Sequence, residues 1–351
     1  MPLDEATSRS TGRSRRPTLR TVAEASGLAV TTVSRALNDG EDIALATRQR
    51  VKRIASELGY VPNRAGLGLR TGRTHVLSLL ISPHAEISSY TASIISGLSE
   101  VCRNQGYEMS ASPDSPNVDE LASVRSVVDN HRADGIVLSR TGPQDLRVRY
   151  LLEHRIPFVT HGRTELATPH AAVDFDNQGF AEQATARLIS HDRSRLMLIG
   201  PAPGLTYHNH MRIGFERVVT RASVIQVEAP GGYAGLHLES PLDELRRSIC
   251  RLCRSTGRPD GIICGGELAA LATLAGIRDA GLLPGREIEV VAKQTSPALD
   301  YTYPPIDSWF EDIYETGQLL GEMLLHVING DQAVADLTQV VQPQPRFRRT
   351  P

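Results

Sequence analysis

Between Thr18 and Asn38 the chain carries two short amphipathic patterns with a single glycine between them. Thr18 stands where a helix N-cap belongs, and Leu19, Val22 and Ala23 follow at i, i+3 and i+4, the spacing that lines one helical face. Gly27 can adopt the left-handed backbone that a tight turn between helices requires. A second helix is expected over Val30 to Leu37, with Val33, Ala36 and Leu37 turned inward. Val51, Ile54, Ala55 and Leu58 form a third apolar stripe, predicting a helix from about Thr47 to Leu58 that starts at Thr47 or Ala46 and ends at Gly59. Few folds accommodate helix, tight turn and helix at this size; the pattern is that of a module that lays its second helix in a DNA groove.

The charge distribution agrees. Residues 1–73 hold 13 Arg/Lys against 7 Asp/Glu, and the remainder 25 against 33. A basic head on an acidic body is the footprint of nucleic-acid contact through the head. Only Lys52 and Lys293 of the 38 basic residues are lysine, so arginine content follows general composition and marks no site by itself. The first sixteen residues are polar and Arg-rich and lack the apolar stretch of a secretory signal; a disordered tail is expected there. No run approaches the ~18 apolar residues of a membrane span, so the expected location is the cytoplasm, with no membrane partner.

From His75 onward the periodicity changes. Val76–Ile81, Gly135–Leu138, Phe158–Thr160, Leu196–Ile199, Gly261–Cys264 and Ile288–Ala292 read as buried parallel strands, and 89–105, 119–131, 178–190, 242–255 and 267–280 as the helices between them. This stretch is longer than one core usually grows, so two α/β lobes are expected. The fold class is therefore a three-helix helix-turn-helix headpiece, a hinge and a two-lobed α/β core. The expected divisions are a tail at 1–16, the headpiece at 17–62, the hinge at 63–73, the core at 74–345 and a tail at 346–351. Four cysteines include the pair Cys250 and Cys253, but no second pair follows at zinc-site spacing, and all four read as structural thiols.

Thr-Val-Ala-Glu-Ala-Ser-Gly-Leu-Ala at 21–29 and Thr-Thr-Val-Ser-Arg-Ala-Leu-Asn at 31–38 resemble the headpiece of the lactose/galactose-repressor (LacI) family. Thr47-Arg48-Gln49-Arg50-Val51 and Leu58-Gly59-Tyr60-Val61-Pro62-Asn63 extend the resemblance into the hinge. Ala133-Asp134-Gly135-Ile136-Val137, Ile156-Pro157, Asp176-Asn177, Gly200-Pro201, Pro259-Asp260-Gly261-Ile262 and Pro304-Pro305-Ile306 carry it more loosely through the core. The resemblance implies a periplasmic-binding-protein-like core, a homodimer and a near-palindromic operator. The C-terminal stretch has no leucine heptads, which favours a dimer over a coiled-coil tetramer.

By the family pattern Val30, Thr31 and Arg35 take the base-reading positions. Arg35 can fork onto guanine O6 and N7, Val30 can offer apolar contact to a thymine methyl, and Thr31 can bond a base or a phosphate. Leu19, Thr32, Ser34, Asn38, Tyr60 and Asn63 fall where backbone phosphates are held. Leu69 falls where the family places a leucine that wedges between base pairs in the minor groove. Gly66 and Gly68 depart from the helix formers usual there, each costing ~1 kcal/mol of helix relative to alanine. The hinge is expected to fold only on DNA.

In this family the effector lies between the lobes, where the rule for open α/β sheets also places ligands, at the C-terminal strand ends. The candidates are Ser82, His84 and Glu86; Ser139 and Arg140; His161 and Arg163; the Tyr207-His208-Asn209-His210 run; Glu267; Lys293 and Gln294; and Trp309 with Glu311. Met211 replaces an arginine common in the family, and Gln294 replaces an aspartate that commonly holds a sugar hydroxyl. Trp309 can stack on a sugar ring or pack in the core. Lys293, Arg163 and the histidines could hold an anion; Glu86, Glu267 and Glu311 could hold hydroxyls.

The expected function is a ligand-controlled DNA-binding repressor with a sugar or sugar derivative as effector. The alternatives are a solute-binding protein, or an activator or corepressor-dependent regulator answering to a phosphorylated sugar or organic acid. No P-loop, G-x-S-x-G elbow or metal-ligand spacing is visible, so neither enzymatic activity, metal nor cofactor is expected.

Overall fold

The computed structural model describes residues 17–60, 72–81, 88–113, 119–228 and 231–348. The chain divides into two compact units at Thr74/His75. Asn63, Gly66, Gly68, Leu69, Ser82, His84 and Glu86 lie outside the described residues.

The first unit holds α1 (Leu19–Ser26), α2 (Val30–Leu37) and α3 (Leu45–Glu57). Thr18 caps α1 reciprocally: its hydroxyl accepts from the Thr21 amide, while its own amide donates to the Thr21 hydroxyl. Gly27, at φ 68°, turns the chain and returns its amide to the Ala23 carbonyl. α3 begins two residues before Thr47, because the Ala44 carbonyl accepts from the amides of both Thr47 and Arg48. Val22, Ala23, Val33, Ala36, Val51 and Ala55 form the core. Each fully buried valine contributes about 1.5–3 kcal/mol relative to exposure, and Arg50 adds a hydrogen bond to the Ser26 carbonyl that ties α3 to the end of α1.

The second unit contains two six-stranded sheets. In the first, β1 (Val76–Ile81), β2 (Glu108–Pro113), β3 (Gly135–Ser139), β4 (Phe158–His161), β5 (Ala172–Phe175) and β11 (Thr338–Val341) lie in the order β2-β1-β3-β4-β5-β11, all parallel. In the second, β6 (Arg195–Ile199), β7 (Ile225–Gln226), β8 (Gly261–Cys264), β9 (Glu289–Gln294), β10 (Asp307–Phe310) and β12 (Gln344–Arg346) follow the order β7-β6-β8-β9-β10-β12, with only β12 antiparallel. Helices cover both faces of each sheet, so the central strands are apolar on both sides, as the runs Leu196–Ile199 and Gly261–Cys264 show.

The longer helices are α4 (Ser88–Asn104), α5 (Ala122–Asp129), α6 (Leu146–Glu153), α7 (Asn177–Ser190), α8 (Thr206–Ala222), α9 (Leu242–Cys253), α10 (Glu267–Asp279) and α11 (Ile313–Asn329). The chain passes between lobes three times. β5 belongs to the first lobe, but α7 packs in the second with Leu196 and Trp309. β10 belongs to the second, but α11 returns to the first and packs Leu320 and Leu324 against Leu77 and Val137. The last crossing joins β11 to β12. α4 and α11 approach so closely that a Cβ on Gly97 would stand 2.1 Å from the Tyr314 carbonyl oxygen, and one on Gly317 2.6 Å from that of Ile94.

Strands β1 and β8 coincide with their sequence readings. β2, β5, β7, β10, β11 and β12, with α6, α8 and α11, have no counterpart in the sequence reading. Arg346, Phe347 and Arg348, expected in a tail, are ordered instead. Arg346 closes β12, Phe347 packs edge-on against Trp309, and the Arg348 amide donates to Asp307. The four cysteines are free thiols; Cys102, Cys253 and Cys264 are buried. Among the described residues no helix is long and apolar enough to cross a membrane.

Candidate functional site

Two surfaces carry the residues that the sequence singled out. On α2, burial of Val33 and Ala36 turns Val30, Thr31 and Arg35 outward; Val30 is 43% exposed although apolar. Thr32 and Ser34 are half-buried on the flanks. Arg35 pairs with Asp42 at 2.7 Å. Asn38 ends α2 with its side-chain amide donating to the Ser34 carbonyl. The Leu19 side chain and Tyr60 both pack against the headpiece core; Leu19 offers a phosphate only its backbone amide, at the helix terminus.

The second surface is the cleft between the lobes, with about 140 Å³ of water-accessible space. Loops at the C-terminal ends of both sheets build it, as the open-sheet rule requires. After β3, the buried Arg147 guanidinium binds the carbonyls of Ser139 and Arg140 and the Asp145 carboxylate, and Asp145 also accepts from the Gly142 amide. Held from beneath in this way, Arg140 takes a left-handed backbone (φ 56°) and extends across the cleft. Its guanidinium reaches the Tyr207 hydroxyl at 2.9 Å and Glu239 at 2.5 Å, both in the second lobe. Glu239 also accepts from the Ala202 amide and contacts His237 at 3.0 Å. Burial alone would raise the Glu239 carboxyl; Arg140 and the Ala202 amide reverse that and hold it below the usual carboxylate range.

A similar set surrounds Glu311, just past β10. Its carboxylate meets Lys293 at 2.5 Å and His161 at 3.1 Å, and the other nitrogen of His161 is 2.6 Å from the Tyr90 hydroxyl. Lys293 lies 4.2 Å over the Phe175 ring and donates to Asn177. Burial would raise the Glu311 carboxyl, but Lys293 and His161 together hold it down at about 2. Asp174 forms the third set, with Arg163 at 2.7 Å and His210 at 3.9 Å. Every set spans both lobes: Arg140 meets Glu239, His161 with Tyr90 meets Glu311, and His210 faces Asp174 from the opposite lobe. Glu267 differs. Its carboxylate accepts from the amides of Thr295 and Ser296 and from the Ser296 hydroxyl, fixing the loop after β9.

The fold thus brings Arg140, His161, Arg163, Tyr207, Glu267, Lys293 and Glu311 to the cleft. It does not bring six other candidates there, Ser139 and Asn209 among them. Trp309 is 1% exposed, because it sits inside β10 rather than beyond its end, under α7 and Phe347, with its indole N–H bonded to Gln183. Gln294 alternates with Lys293 along β9 and so turns to the other face, bonding Ser296, Asp300 and Ser308. His208 is buried against the Pro201 carbonyl. His210 stands behind Asp174 rather than on the lining. Sequence reasoning missed Tyr90, Asp174 and Glu239, and used Asn177 only as a marker of resemblance. Asp174 lies in a four-residue strand, and Glu239 in a loop without periodicity; neither carried a signal. Met211, in place of an arginine, is fully buried beneath Gly265 and brings no charge.

Residues 18–63 match the family model for bacterial regulatory proteins, lacI family, and residues 185–350 match a periplasmic binding protein-like domain. The HTH-type transcriptional regulator AglR of Rhizobium meliloti (strain 1021) is 31% identical over 279 residues, covering 78% of this chain and 76% of that protein. The regulator CelR of Thermobifida fusca is 28% identical over 334 residues, covering 91% and 94%. Among solved structures, a transcriptional regulator CelR–cellobiose complex matches with TM-score 0.69 at 24% identity, over 95% of this chain and 99% of that one. A lac repressor dimer bound to operator and the anti-inducer ONPF matches with TM-score 0.80 at 17% identity, over 95% and 98%. At these identities the solved structures speak to the fold, a helix-turn-helix region followed by a two-lobed parallel α/β core.

Proposed function

The chain belongs to the lacI family of bacterial regulatory proteins, and on that footing we propose that it is a cytoplasmic transcriptional repressor whose grip on operator DNA is set by a small, uncharged carbohydrate held between the lobes of its core. The observation that carries the effector class is the charge pairing in the cleft. Arg140, Arg163 and Lys293 each already meet a carboxylate, and Glu267 adds a fourth acid with no cationic partner among the described residues. A phosphate or carboxylate ligand would have to compete with one of these carboxylates for its counter-charge. Hydroxyls, which both donate and accept, can share them. Cellobiose, the neutral sugar in the CelR complex, supports the same class.

For the DNA, Val30, Thr31 and Arg35 are the outward groups of α2 suited to base edges, with Leu19, Thr32, Ser34, Asn38 and Tyr60 beside them for phosphates. We assign Asn63 and Leu69 to the hinge contacts on the family pattern. The working form is a homodimer on a near-palindromic site, since one such headpiece reads only a few base pairs. Tyr301 and Tyr303, 87% and 84% exposed, offer a second copy two aromatic side chains on the second lobe. No catalytic role is assigned to the cleft.

The test is a thermal-shift screen of neutral sugars, polyols and sugar phosphates, followed by gel shifts on the DNA upstream of the chain's own gene. A neutral sugar that raises the melting temperature and releases a salt-sensitive, specific complex supports the reading; no specific complex at any salt concentration contradicts it.

A further inference from the structure

The connection between α2 and α3 folds back onto the end of the recognition helix. The Gly40 amide donates to the Arg35 carbonyl at 2.9 Å, and the Ile43 amide donates to the Gly40 carbonyl at 3.1 Å. Ile43 then packs against the headpiece core. A Cβ on residue 40 would press at 3.1 Å on both the Arg35 carbonyl oxygen and a carboxylate oxygen of Asp42. The turn therefore brings Asp42 alongside Arg35, and one guanidinium nitrogen lies 2.7 Å from its carboxylate. The other aspartate of this connection, Asp39, is engaged elsewhere, by Lys52 at 2.7 Å.

Both side chains of the Arg35–Asp42 pair are about half exposed, at 59% and 44%. An ion pair so open adds little to folding stability. Its consequence is where the guanidinium points. We propose that Asp42 is a positioning residue for Arg35, fixing the orientation of the guanidinium for a guanine edge and keeping it off the phosphates. This rests on the reading of α2 as the recognition helix and of Arg35 as its base fork. Two physical effects follow. A flexible side chain is ordered before DNA arrives, so less freedom is lost in forming a two-point contact. A carboxylate beside the guanidinium also cancels its general attraction to the polyanion, while its remaining N–H groups stay available to O6 and N7. Asp42 therefore acts on the ratio of specific to non-specific affinity.

The experiment uses the full chain. Preferred duplexes are first selected from a random library, and the base pair read by Arg35 is identified as the position where Arg35→Gln loses its preference. Affinities for the matched duplex, the duplex changed at that pair and an unrelated duplex are then compared. Asp42→Asn is expected to lower the matched-to-changed ratio about tenfold, within the range a bidentate contact carries, and to strengthen binding to the unrelated duplex with a steeper salt dependence. Asp42→Glu is expected to retain most of the ratio. In an Arg35→Gln background, Asp42→Asn is expected to leave the ratio unchanged. The proposal is overturned if Asp42→Asn strengthens matched and changed duplexes by the same factor, which would make Asp42 a mere competitor for Arg35. It is also overturned if Asp42→Asn weakens matched and changed duplexes by the same factor, leaving the ratio at its wild-type value. A wild-type chain with no preferred duplex overturns the regulator reading itself, and the positioning role with it.

Discussion

Arg140 and Glu239 meet across the interlobe cleft, the guanidinium 2.5 Å from the carboxylate with both side chains largely buried. Each comes from a different lobe, so the contact exists only while the lobes are closed on one another. Removing one partner leaves the other buried without its counter-charge, which costs about 3–5 kcal/mol. Arg140→Met is therefore expected to lower the stability of the core by roughly that amount in urea titration. The double variant Arg140→Met/Glu239→Gln is expected to recover most of the loss. A double variant no better than the single one would show that the pair is not coupled.

The Glu311 carboxyl gives the core a pH signature. Its pKa lies at about 2, below its ordinary 4.5, since Lys293 and His161 more than offset the penalty of burial. A carboxyl depressed on folding adds stability that is fully present above its unfolded value and is lost as pH falls through its folded value. The contribution is on the order of 3 kcal/mol. The stability difference between wild type and Glu311→Gln is expected to be flat from neutral pH to about 5 and to shrink as pH falls through about 4 towards 2. Urea titration across that window checks it; a difference independent of pH contradicts it.

Charge pairing in the cleft also predicts which ligands fail. For any neutral sugar that binds, the ester carrying a phosphate is expected to bind at least about a hundredfold more weakly, because it must displace a carboxylate from Arg140, Arg163 or Lys293. Calorimetry on the matched pair decides. Equal or tighter binding of the ester would show that one of these cations is available to the ligand.

The contact of α4 with α11 leaves no room at Gly317, where an added Cβ falls 2.6 Å from the Ile94 carbonyl oxygen. Because the obstacle is backbone, the helices themselves must separate. Gly317→Val is expected to lower core stability by at least 1–3 kcal/mol, roughly the cost of overpacking. The neighbouring exposed change Glu322→Gln is expected to move it by less than about 0.5 kcal/mol. Thermal unfolding of the two variants checks the contrast.

Legibility in the sequence followed how local the determinants were. The headpiece was readable to within two residues, since Thr18, Gly27 and the valine spacing act within a few residues of themselves. Strands buried on both faces, such as Gly261–Cys264, announced themselves as apolar runs. β5, only four residues long, and β2, with its polar edge, did not; β2 pairs with β1 and β5 with β11, both distant in sequence. The cleft was half legible. Arg140, His161 and Lys293 lie at or near the ends of strands that could be read, whereas Glu239 comes from a loop and Asp174 from a strand that went unread. Trp309, whose chemistry left sugar stacking and core packing equally open, takes the core role because its position inside β10 places it under α7 and Phe347. A Trp309→Phe change should accordingly alter stability and leave effector affinity within about twofold, as for substitutions outside a binding site.

Occupancy of the cleft is expected to be read out at the DNA. The most direct measurement is fluorescence anisotropy of the full chain on its selected duplex, titrated with the neutral sugar found by thermal shift, in wild type and in Glu311→Gln. In the wild type the sugar is expected to weaken duplex binding about tenfold or more, as coupling of 1–3 kcal/mol gives. In Glu311→Gln, duplex affinity without sugar is expected to persist while the response moves to higher sugar concentration. A sugar that binds the core of the wild type and leaves duplex affinity unchanged would contradict a coupling between cleft and headpiece.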